Sequence, residues 1–245
     1  MKRTVLITGA SGGIGAAAAR LMGSKGWQVA VHYHSGEERA RGLCEELRAM
    51  GQEAAPFGAD VSDMAQVKAM FREIAVRYGE IHVLVNNAGI AQQKLFTDIG
   101  EEEWDRMFDI NVKGMFHCTQ AALPQMIHRK SGKIINLSSI WGMVGASCEV
   151  HYSAAKAAVI GMTKALAKEL GPSGIQVNCV APGVIDTPMN GQLDEETLEA
   201  LKEETPLGIL GSPEHVAGVI AFLASSAADF ITGQVISPNG GFVIT

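Results

Sequence analysis

Tyr152 and Lys156 are the residues whose types and spacing could do acid–base chemistry. They lie four positions apart in an alanine-rich segment that is typical of a helix, so their side chains share one helix face. A free phenol has a pKa of about 10 and donates its proton poorly near neutral pH, whereas a neighbouring ammonium stabilises the phenolate and lowers that pKa. The pair is therefore a candidate acid catalyst. The same spacing also occurs by chance, so the rest of the chain must decide.

Short apolar segments rich in valine and isoleucine alternate with longer amphipathic segments, and these elements must position the pair. The predicted strands are residues 4–8, 28–33, 53–58, 82–86, 133–138, 176–180 and, late in the chain, 234–237. Nearly continuous hydrophobic strands separated by helical patterns predict an α/β fold, a single doubly wound parallel sheet with helices on both faces. We expect one domain over residues 1–245. A polar insertion at about 189–206, with a helical pattern over 194–204, is predicted to be lid-like.

A glycine-rich turn joins the first predicted strand to an alanine-rich helix. The turn reads Gly9-Ala-Ser-Gly12-Gly13-Ile14-Gly15, with the spacing Gly-x-x-x-Gly-x-Gly. Glycines let the backbone turn tightly, approach a pyrophosphate closely and pack the helix against the strand, so that N–H groups at the helix N-terminus face the anion. At the first strand-to-helix junction, this turn favours a Rossmann-like dinucleotide site over a merely structural turn.

Composition and charge exclude several other classes of protein. The net charge is −6 and the pI is near 5.6, whereas a general nucleic-acid or membrane-surface binder carries a basic excess. The four cysteines lie far apart without Cys-x-x-Cys spacing, which predicts reduced thiols in a cytoplasm. No spacing of His, Cys, Asp and Glu is typical of a metal site, so we expect no required metal. The N-terminal apolar run is too short for a signal or membrane segment and predicts a first strand instead.

Together these motifs resemble the short-chain dehydrogenase/reductase family over essentially the whole chain. The motifs follow the family's order: the glycine turn, Asp60-Val61, Asn86-Asn87-Ala88-Gly89, Asn111, Ser138-Ser139, Tyr152-x-x-x-Lys156 and Pro182-Gly183-Val-Ile185-Asp-Thr187. Ordered matches of this number make coincidence a poor explanation. The resemblance implies an NAD(P)H-dependent oxidoreductase that acts on CH–OH or C=O groups.

The resemblance implies four catalytic residues. Ser139, thirteen positions before Tyr152, would hydrogen-bond the substrate carbonyl, and Tyr152 would deliver its proton. Lys156 would lower the pKa of Tyr152 and hold the nicotinamide ribose, and Asn111 would anchor a proton-relay water. While hydride arrives at carbon, charge develops on oxygen, and two oriented hydroxyls stabilise that charge.

The resemblance also implies a set of cofactor contacts at the carboxyl ends of the strands. Its members are Gly9, Ser11, Gly12, Gly13, Ile14, Gly15, Tyr33, His34, Ser35, Asp60, Val61, Asn87, Ala88, Gly89, Tyr152, Lys156, Pro182, Gly183, Ile185 and Thr187. Asn86 could contact the ligand or only stabilise the sheet, and His32 and His34 could meet a 2′-phosphate or sit in a polar loop.

Cofactor preference depends on the end of the second strand. A carboxylate there would bind the adenosine 2′-hydroxyl and repel a 2′-phosphate, but that place holds Tyr33, followed by His34 and Ser35. We therefore expect NADP(H) to be preferred over NAD(H). One departure counts against this expectation, because Gly12 stands where NADPH users of the family often place arginine or lysine.

By length, motif layout and the Asn239-Gly240-Gly241 ending, the chain most resembles 3-oxoacyl-[acyl-carrier-protein] reductases. The resemblance implies NADPH-dependent reduction of a ketone, small or bound to a carrier or protein, to a secondary alcohol. It also implies a homotetramer packed through the Asn111 and tyrosine helices. Such enzymes are expected to dock an acidic carrier through two basic residues near the cleft mouth. Lys130 fits the first position, but the second holds the uncharged Ser173.

Two local features favour other substrates. The loop before Tyr152 is expected to line the substrate cleft, with candidates Trp141, Met143, Cys148 and Glu149. Its motifs Ser-x-x-Trp-Gly and Ala-Ser-Cys-Glu-Val also resemble reductases of the 5-aminopentanone modification on elongation factor P. The insertion is acidic, which would attract a cationic substrate unless its acids form only a solvated helix face. A non-catalytic dinucleotide sensor or scaffold is an alternative of another class.

Overall fold

The computed structural model describes residues 2–187 and 195–244. In this part of the chain, seven parallel strands form one sheet in the order β3-β2-β1-β4-β5-β6-β7. The strands are β1 (Thr4–Ile7), β2 (Gln28–Tyr33), β3 (Ala54–Gly58), β4 (Ile81–Asn86), β5 (Gly132–Leu137), β6 (Ile175–Val180) and β7 (Val235–Ile236). Each predicted strand is present, with ends that move by at most one residue. The predicted fold class is confirmed.

Helices cover both faces of the sheet. Their bounds are α1 (Gly13–Ser24), α2 (Glu37–Ala49), α3 (Met64–Tyr78), α4 (Glu101–Phe108), α5 (Gly114–Arg129), α6 (Trp141–Val144), α7 (Val150–Leu170), α8 (Glu195–Glu204) and α9 (Pro213–Ala224). A π-helical turn, Asp109–Lys113, joins α4 to α5. One core cluster contains residues of α1, α2 and α9, and the other contains residues of α3, α5 and α7.

The central strands explain why the sequence shows apolar runs rather than alternation. Val5 and Ile7 of β1 belong to the first core cluster, while Leu6 between them belongs to the second. Successive side chains of a strand point to opposite faces, and here both faces are covered by helices. Strand order reverses between β1 and β4, so the crevice of the doubly wound sheet lies above the carboxyl ends of these two strands.

The predicted insertion coincides in part with α8. The helical pattern expected over 194–204 matches α8, whereas positions 189–194 lie outside the described residues. Further on, α9 begins after Ser212 with Pro213 in its first turn, as those two residues indicate. Across the described ranges, no helix is both long and apolar enough to cross a bilayer.

Candidate active site

The glycine turn packs tightly against the end of β4 and leaves the start of α1 open. Gly9 has a φ of +64°, and a Cβ added there would lie 2.9 Å from the Ala88 Cα. At Gly15 an added Cβ would lie 2.6 Å from the Gly9 carbonyl oxygen. At Gly12, by contrast, an added Cβ would meet nothing within 4 Å. The turn therefore has the close backbone packing and the accessible helix N-terminus that a pyrophosphate needs.

Asn87 and Asn86 have different roles. The Asn87 side chain donates to the Thr8 carbonyl at 2.9 Å and to the Gly9 carbonyl at 3.1 Å, which ties β4 to the glycine turn. Asn86 is buried and donates to Thr119 at 3.1 Å and to Asn136 at 2.9 Å. Of its two expected roles, this geometry favours stabilisation of the sheet.

An open cleft of about 880 Å³ follows the carboxyl ends of β1 to β4, and we call it the cofactor crevice. Thirteen predicted cofactor contacts line it: Gly9, Ser11, Gly12, Gly13, Ile14, His34, Ser35, Asp60, Val61, Asn87, Ala88, Gly89 and Thr187. Gly15 lies beneath the turn, and Tyr33 packs against Gly58 rather than lining the crevice. These residues fit an extended dinucleotide.

His32 is a structural residue at the edge of the cofactor crevice. Its Nδ1 accepts the Gly9 N–H at 2.9 Å, and its Nε2 lies 3.0 Å from the Ala59 carbonyl oxygen. Burial lowers the pKa of His32 to about 4, although the bond to Ala59 opposes that shift. A neutral ring is also the form that can accept the Gly9 N–H. His32 therefore holds the glycine turn rather than supplying a positive charge to a phosphate.

Arg39, in the first turn of α2, is a crevice residue that sequence reasoning missed. It lines the cofactor crevice with Ser11, His34, Ser35 and Gly36. A Cβ added at Gly36 would lie 2.7 Å from the Ser11 Oγ and 3.0 Å from the Arg39 Nη2, so the three residues are adjacent. Its position in the sequence could have predicted this, because the helix after β2 begins next to the strand end that selects between NADPH and NADH.

Ser139, Tyr152 and Lys156 meet where β5 ends against α7. The Ser138 hydroxyl donates to the Lys156 carbonyl at 2.8 Å, and the Lys156 ammonium donates to the Leu137 carbonyl at 3.0 Å. The Lys156 Nζ lies 5.6 Å from the centroid of the Tyr152 ring. Ser139 and Tyr152 line the adjoining cleft, while Lys156 is buried beneath it.

Burial dominates the titration of this pair. It raises the pKa of Tyr152 to about 12, hydrogen bonding from Ser139 opposes the rise, and the negative charge of Glu149 adds to it. Burial likewise lowers the pKa of Lys156 to about 8. The sequence predicted a lowered pKa for Tyr152. The structure shows a raised one because desolvation of the phenolate outweighs any effect of the ammonium.

Asn111 lies in the π-helical turn and reaches the same place. Its side-chain amide donates to the carbonyls of Ile90 and Met107, both at 3.0 Å. Its Oδ1 is buried and accepts no hydrogen bond. A Cβ added at Gly89 would lie 2.5 Å from that oxygen and 3.3 Å from the Lys156 Nζ. Asn111 therefore presents an acceptor to the space beside Gly89 and Lys156, where a polar ligand or water fits.

A second cleft, of about 240 Å³, adjoins the crevice and shares Ile14 and Thr187 with it; we call it the substrate cleft. Its walls come from the loops after β4, β5 and β6 and from α8: Ala91, Gln92, Gln93, Ser138, Ser139, Trp141, Glu149, Tyr152, Pro182, Gly183, Val184, Ile185, Thr197 and Leu201. Of the four predicted loop contacts, Trp141 and Glu149 line this cleft. Met143 and Cys148 do not.

Comparison with known proteins identifies the family. A family model described as enoyl-(acyl carrier protein) reductase matches residues 9–243. A 3-oxoacyl-[acyl-carrier-protein] reductase of Staphylococcus aureus is 45% identical over 241 residues, which cover 98% of each chain. The chain belongs to the short-chain dehydrogenase/reductase family. The reductase of the same name from Thermotoga maritima is 43% identical over 242 residues, with 99% of this chain and 98% of that protein covered.

Membership of the short-chain dehydrogenase/reductase family makes the chain an oxidoreductase that acts on a carbonyl or alcohol with a nicotinamide dinucleotide. The geometry fits this activity. Two hydroxyls, of Ser139 and Tyr152, face one cleft that opens into the crevice suited to a dinucleotide. Across the described ranges, no group of three or more His, Cys, Asp or Glu side chains is arranged to hold a metal ion.

Proposed function

We propose that the protein reduces a 3-oxoacyl thioester to the 3-hydroxyacyl thioester with NADPH, in the manner of the 3-oxoacyl-[acyl-carrier-protein] reductases. Relatives of that name match nearly the full length of the chain. The structural observation that carries the proposal is the meeting of Ser139 and Tyr152 in a cleft next to the dinucleotide crevice. The same relatives favour this function over reduction of an aminopentanone and over a non-catalytic sensor.

The chain's own residues bind the carbonyl and move one proton. The Ser139 and Tyr152 hydroxyls hold the carbonyl oxygen, and the phenol proton passes to that oxygen as negative charge develops. The nicotinamide, when bound, supplies the hydride to the carbonyl carbon. The acceptor oxygen of Asn111 would hold a water that returns a proton, and the buried Lys156 would stabilise the phenolate and position the ribose.

Preference for NADPH is part of the proposal. The end of β2 offers no carboxylate that would repel a 2′-phosphate, and the guanidinium of Arg39 lies beside Ser11. Within the described ranges, no carboxylate lies within ion-pair distance of Arg39, so its charge is available to an anion. Arg39 would replace the basic residue that the glycine turn lacks at Gly12.

Lys130 and Ser173 lie at the opposite end of the sheet from the substrate cleft of the same subunit. Both residues precede the amino ends of β5 and β6, whereas the substrate cleft lies at the carboxyl ends. Within one subunit they therefore do not flank the cleft mouth, contrary to the sequence-based expectation. We propose a cytoplasmic homotetramer of single-domain subunits, in which exposed Phe116 and Ile127 of α5 would be covered. The lid-like role of residues 189–206 stays a prediction.

The test is a substrate panel followed by the loss of NADPH absorbance. Acetoacetyl thioesters of acyl carrier protein and of coenzyme A should both be reduced, with a lower KM for the carrier-bound form. NADPH should give a higher kcat/KM than NADH. Failure to oxidise NADPH with any ketone would overturn the proposal and favour a sensor, and a clear preference for NADH would overturn its cofactor part.

A further inference from the structure

Gln92 is a polar residue of the substrate cleft that the ketone itself does not need. It follows β4 in the chain and lines the cleft together with Ser139 and Tyr152. A 3-oxoacyl thioester carries two carbonyl groups, and the Ser139 and Tyr152 hydroxyls hold only the oxygen of the ketone. The thioester carbonyl needs a donor of its own, because an acceptor that leaves water without a new hydrogen bond weakens binding.

The carboxylate of Glu103 determines which way the Gln92 amide is turned. The Gln92 Nε2 lies 2.8 Å from a Glu103 carboxylate oxygen, and the Gln92 Oε1 lies 2.9 Å from the His151 Nε2. Hydrogen bonds, first of all that from the Lys94 ammonium, lower the pKa of Glu103 to about 2, so Glu103 is ionised at neutral pH. An ionised carboxylate only accepts, so the amide nitrogen must face Glu103 and the amide oxygen must face His151.

His151 is the donor to the amide oxygen. Because an amide oxygen only accepts, the hydrogen of this bond must be on the His151 Nε2. His151 is buried, and burial lowers its pKa, so the ring is the neutral Nε2–H tautomer at neutral pH. The buried Nδ1 has no hydrogen-bond partner among the residues that the structure describes. The ring therefore acts on Gln92 through its single N–H.

Backbone hydrogen bonds fix the segment that carries Gln92. Before it, the Asn111 side chain donates to the Ile90 carbonyl at 3.0 Å. After it, the Lys94 N–H donates to the Cys148 carbonyl at 2.7 Å. A polar group on a segment held at both ends is positioned before a substrate arrives, which reduces the entropy lost on binding.

The Gln92 amide keeps one N–H for a ligand. An amide nitrogen carries two N–H groups, and Glu103 accepts from one of them. Within the described ranges, the second N–H donates to no other protein group. His151 directly precedes Tyr152 in the first turn of α7, so its bond places the amide against the turn that carries the proton donor.

We propose that the second N–H of Gln92 donates to the thioester carbonyl of a 3-oxoacyl substrate, and that His151 is the positioning residue that turns the amide for this bond. The inference rests on the proposed function and names the residue that recognises the second carbonyl. The reaction is unchanged: hydride reaches the ketone carbon, and the proton of Tyr152 reaches the ketone oxygen.

The experiment compares two substrates that differ in one carbonyl. Acetoacetyl-coenzyme A contains the thioester carbonyl, whereas S-(3-oxobutyl)-coenzyme A has a methylene in its place and keeps the ketone, the chain length and coenzyme A. The measured quantity is the ratio of kcat/KM for the thioester to kcat/KM for the thioether. The intrinsic reactivities of the two ketones are the same with every variant, so they cancel when ratios are compared between variants.

Two variants isolate the Gln92 amide. Gln92→Leu keeps a side chain of similar size and should lower the ratio about fivefold to tenfold, because a hydrogen bond is lost from the thioester alone. Gln93→Leu removes the neighbouring amide of the same cleft, and the ratio should persist. Both variants should keep the KM for NADPH, since neither residue lines the cofactor crevice.

Two further variants, of equal chain length, test the role of His151. His151→Gln places an amide N–H near the position of the His151 Nε2, whereas His151→Met has no donor. His151→Met should lower the ratio nearly as much as Gln92→Leu does, and His151→Gln should retain most of it. Thermal unfolding checks that all four variants fold, and the His151 pair tests the bond independently if Gln92→Leu does not.

The outcomes separate this inference from the proposed function. A wild-type ratio in Gln92→Leu, or an equal fall in Gln93→Leu, overturns the role of Gln92, and equal ratios in the two His151 variants overturn the role of His151. In each case reduction of acetoacetyl-coenzyme A by the wild type stands. If the thioether binds without turnover, its inhibition constant replaces its kcat/KM in the comparison. Failure of the wild type with every thioester overturns the proposed function, and this inference with it.

Discussion

The cofactor crevice and the substrate cleft adjoin each other but are built on different principles. The crevice lies at the ends of β1 to β4 and is lined by charges of both signs, with Arg39 beside the glycine turn. The substrate cleft is formed by loops and α8, and its charged side chain is Glu149. Family membership accounts well for the first. The second carries the features particular to this chain.

Packing explains why the two regions differ. In the crevice, Gly9 and Gly15 have no room for a side chain, and Asn87 ties two strand ends together. Substitution there would displace the backbone that lines the crevice. In the loop before Tyr152, Gly142 also has no room for a Cβ and Cys148 has a φ of +60°, but the exposed Val144 leaves room for other side chains and the loop lies outside the crevice. Substrate choice can therefore change without loss of the cofactor site.

Loss of the Tyr152 hydroxyl should have the largest effect, because it should reduce turnover in the substrate cleft without changing NADPH binding in the crevice. Tyr152→Phe removes the proton donor but leaves the crevice intact, so kcat should fall by about 10²- to 10⁴-fold while NADPH binding persists. Steady-state kinetics and titration of NADPH fluorescence measure the two effects. Tyr78→Phe, which removes a phenol far from both clefts, is the matched control. Turnover near that of the wild type in Tyr152→Phe would refute its assignment as proton donor.

The sequence predicted the crevice better than the substrate cleft for a physical reason. Glycine spacing and strand ends are local patterns, and the structure brings them together as parallel strands must. The raised pKa of Tyr152, the place of Arg39 and the absence of Met143 and Cys148 from the cleft wall depend on burial and on how loops fold back. These features depend on contacts between distant parts of the chain, so short sequence patterns do not predict them. His32 shows the same limit, because its bonds to Gly9 and Ala59 join three strand ends.

His32 should make the crevice sensitive to acid. Its pKa is about 4 when folded and about 6.5 when unfolded, so the unfolded chain binds the proton first as pH falls. Stability from His32 is complete above pH 6.5 and is lost as pH falls toward 4, by at most about 3 kcal/mol. Urea unfolding across this window should show the loss, and His32→Asn should flatten it. His34→Asn, at an exposed neighbour, should keep the wild-type slope; an unchanged slope in His32→Asn would contradict this role.

Substitution of Arg39 tests whether its positive charge in the crevice selects NADPH over NADH. Arg39→Ala should raise the KM for NADPH about tenfold or more and leave the KM for NADH nearly unchanged, because only NADPH carries the 2′-phosphate. Arg41→Ala is the control on the same helix, since Arg41 pairs with Glu37 at 2.6 Å and does not line the crevice. Equal changes for both cofactors in Arg39→Ala would show that Arg39 acts on the fold of the crevice and not on the phosphate.

Removal of the negative charge of Glu149 in the substrate cleft should have the smallest effect, a shift in the pH dependence of the reaction. Its charge raises the pKa of Tyr152, after burial and against hydrogen bonding from Ser139. Because the protonated phenol is the acid in ketone reduction, kcat/KM should fall as pH rises through the pKa of Tyr152. Glu149→Gln lowers that pKa, so the alkaline limb of the profile for a neutral ketone should move to lower pH by less than about one unit. Glu196→Gln, at a residue of α8 that does not line the cleft, should leave the limb in place. A limb that moves to higher pH would mean that the Glu149 carboxylate does not repel the Tyr152 phenolate. The charge of the substrate cleft would then not control the pKa of the proton donor.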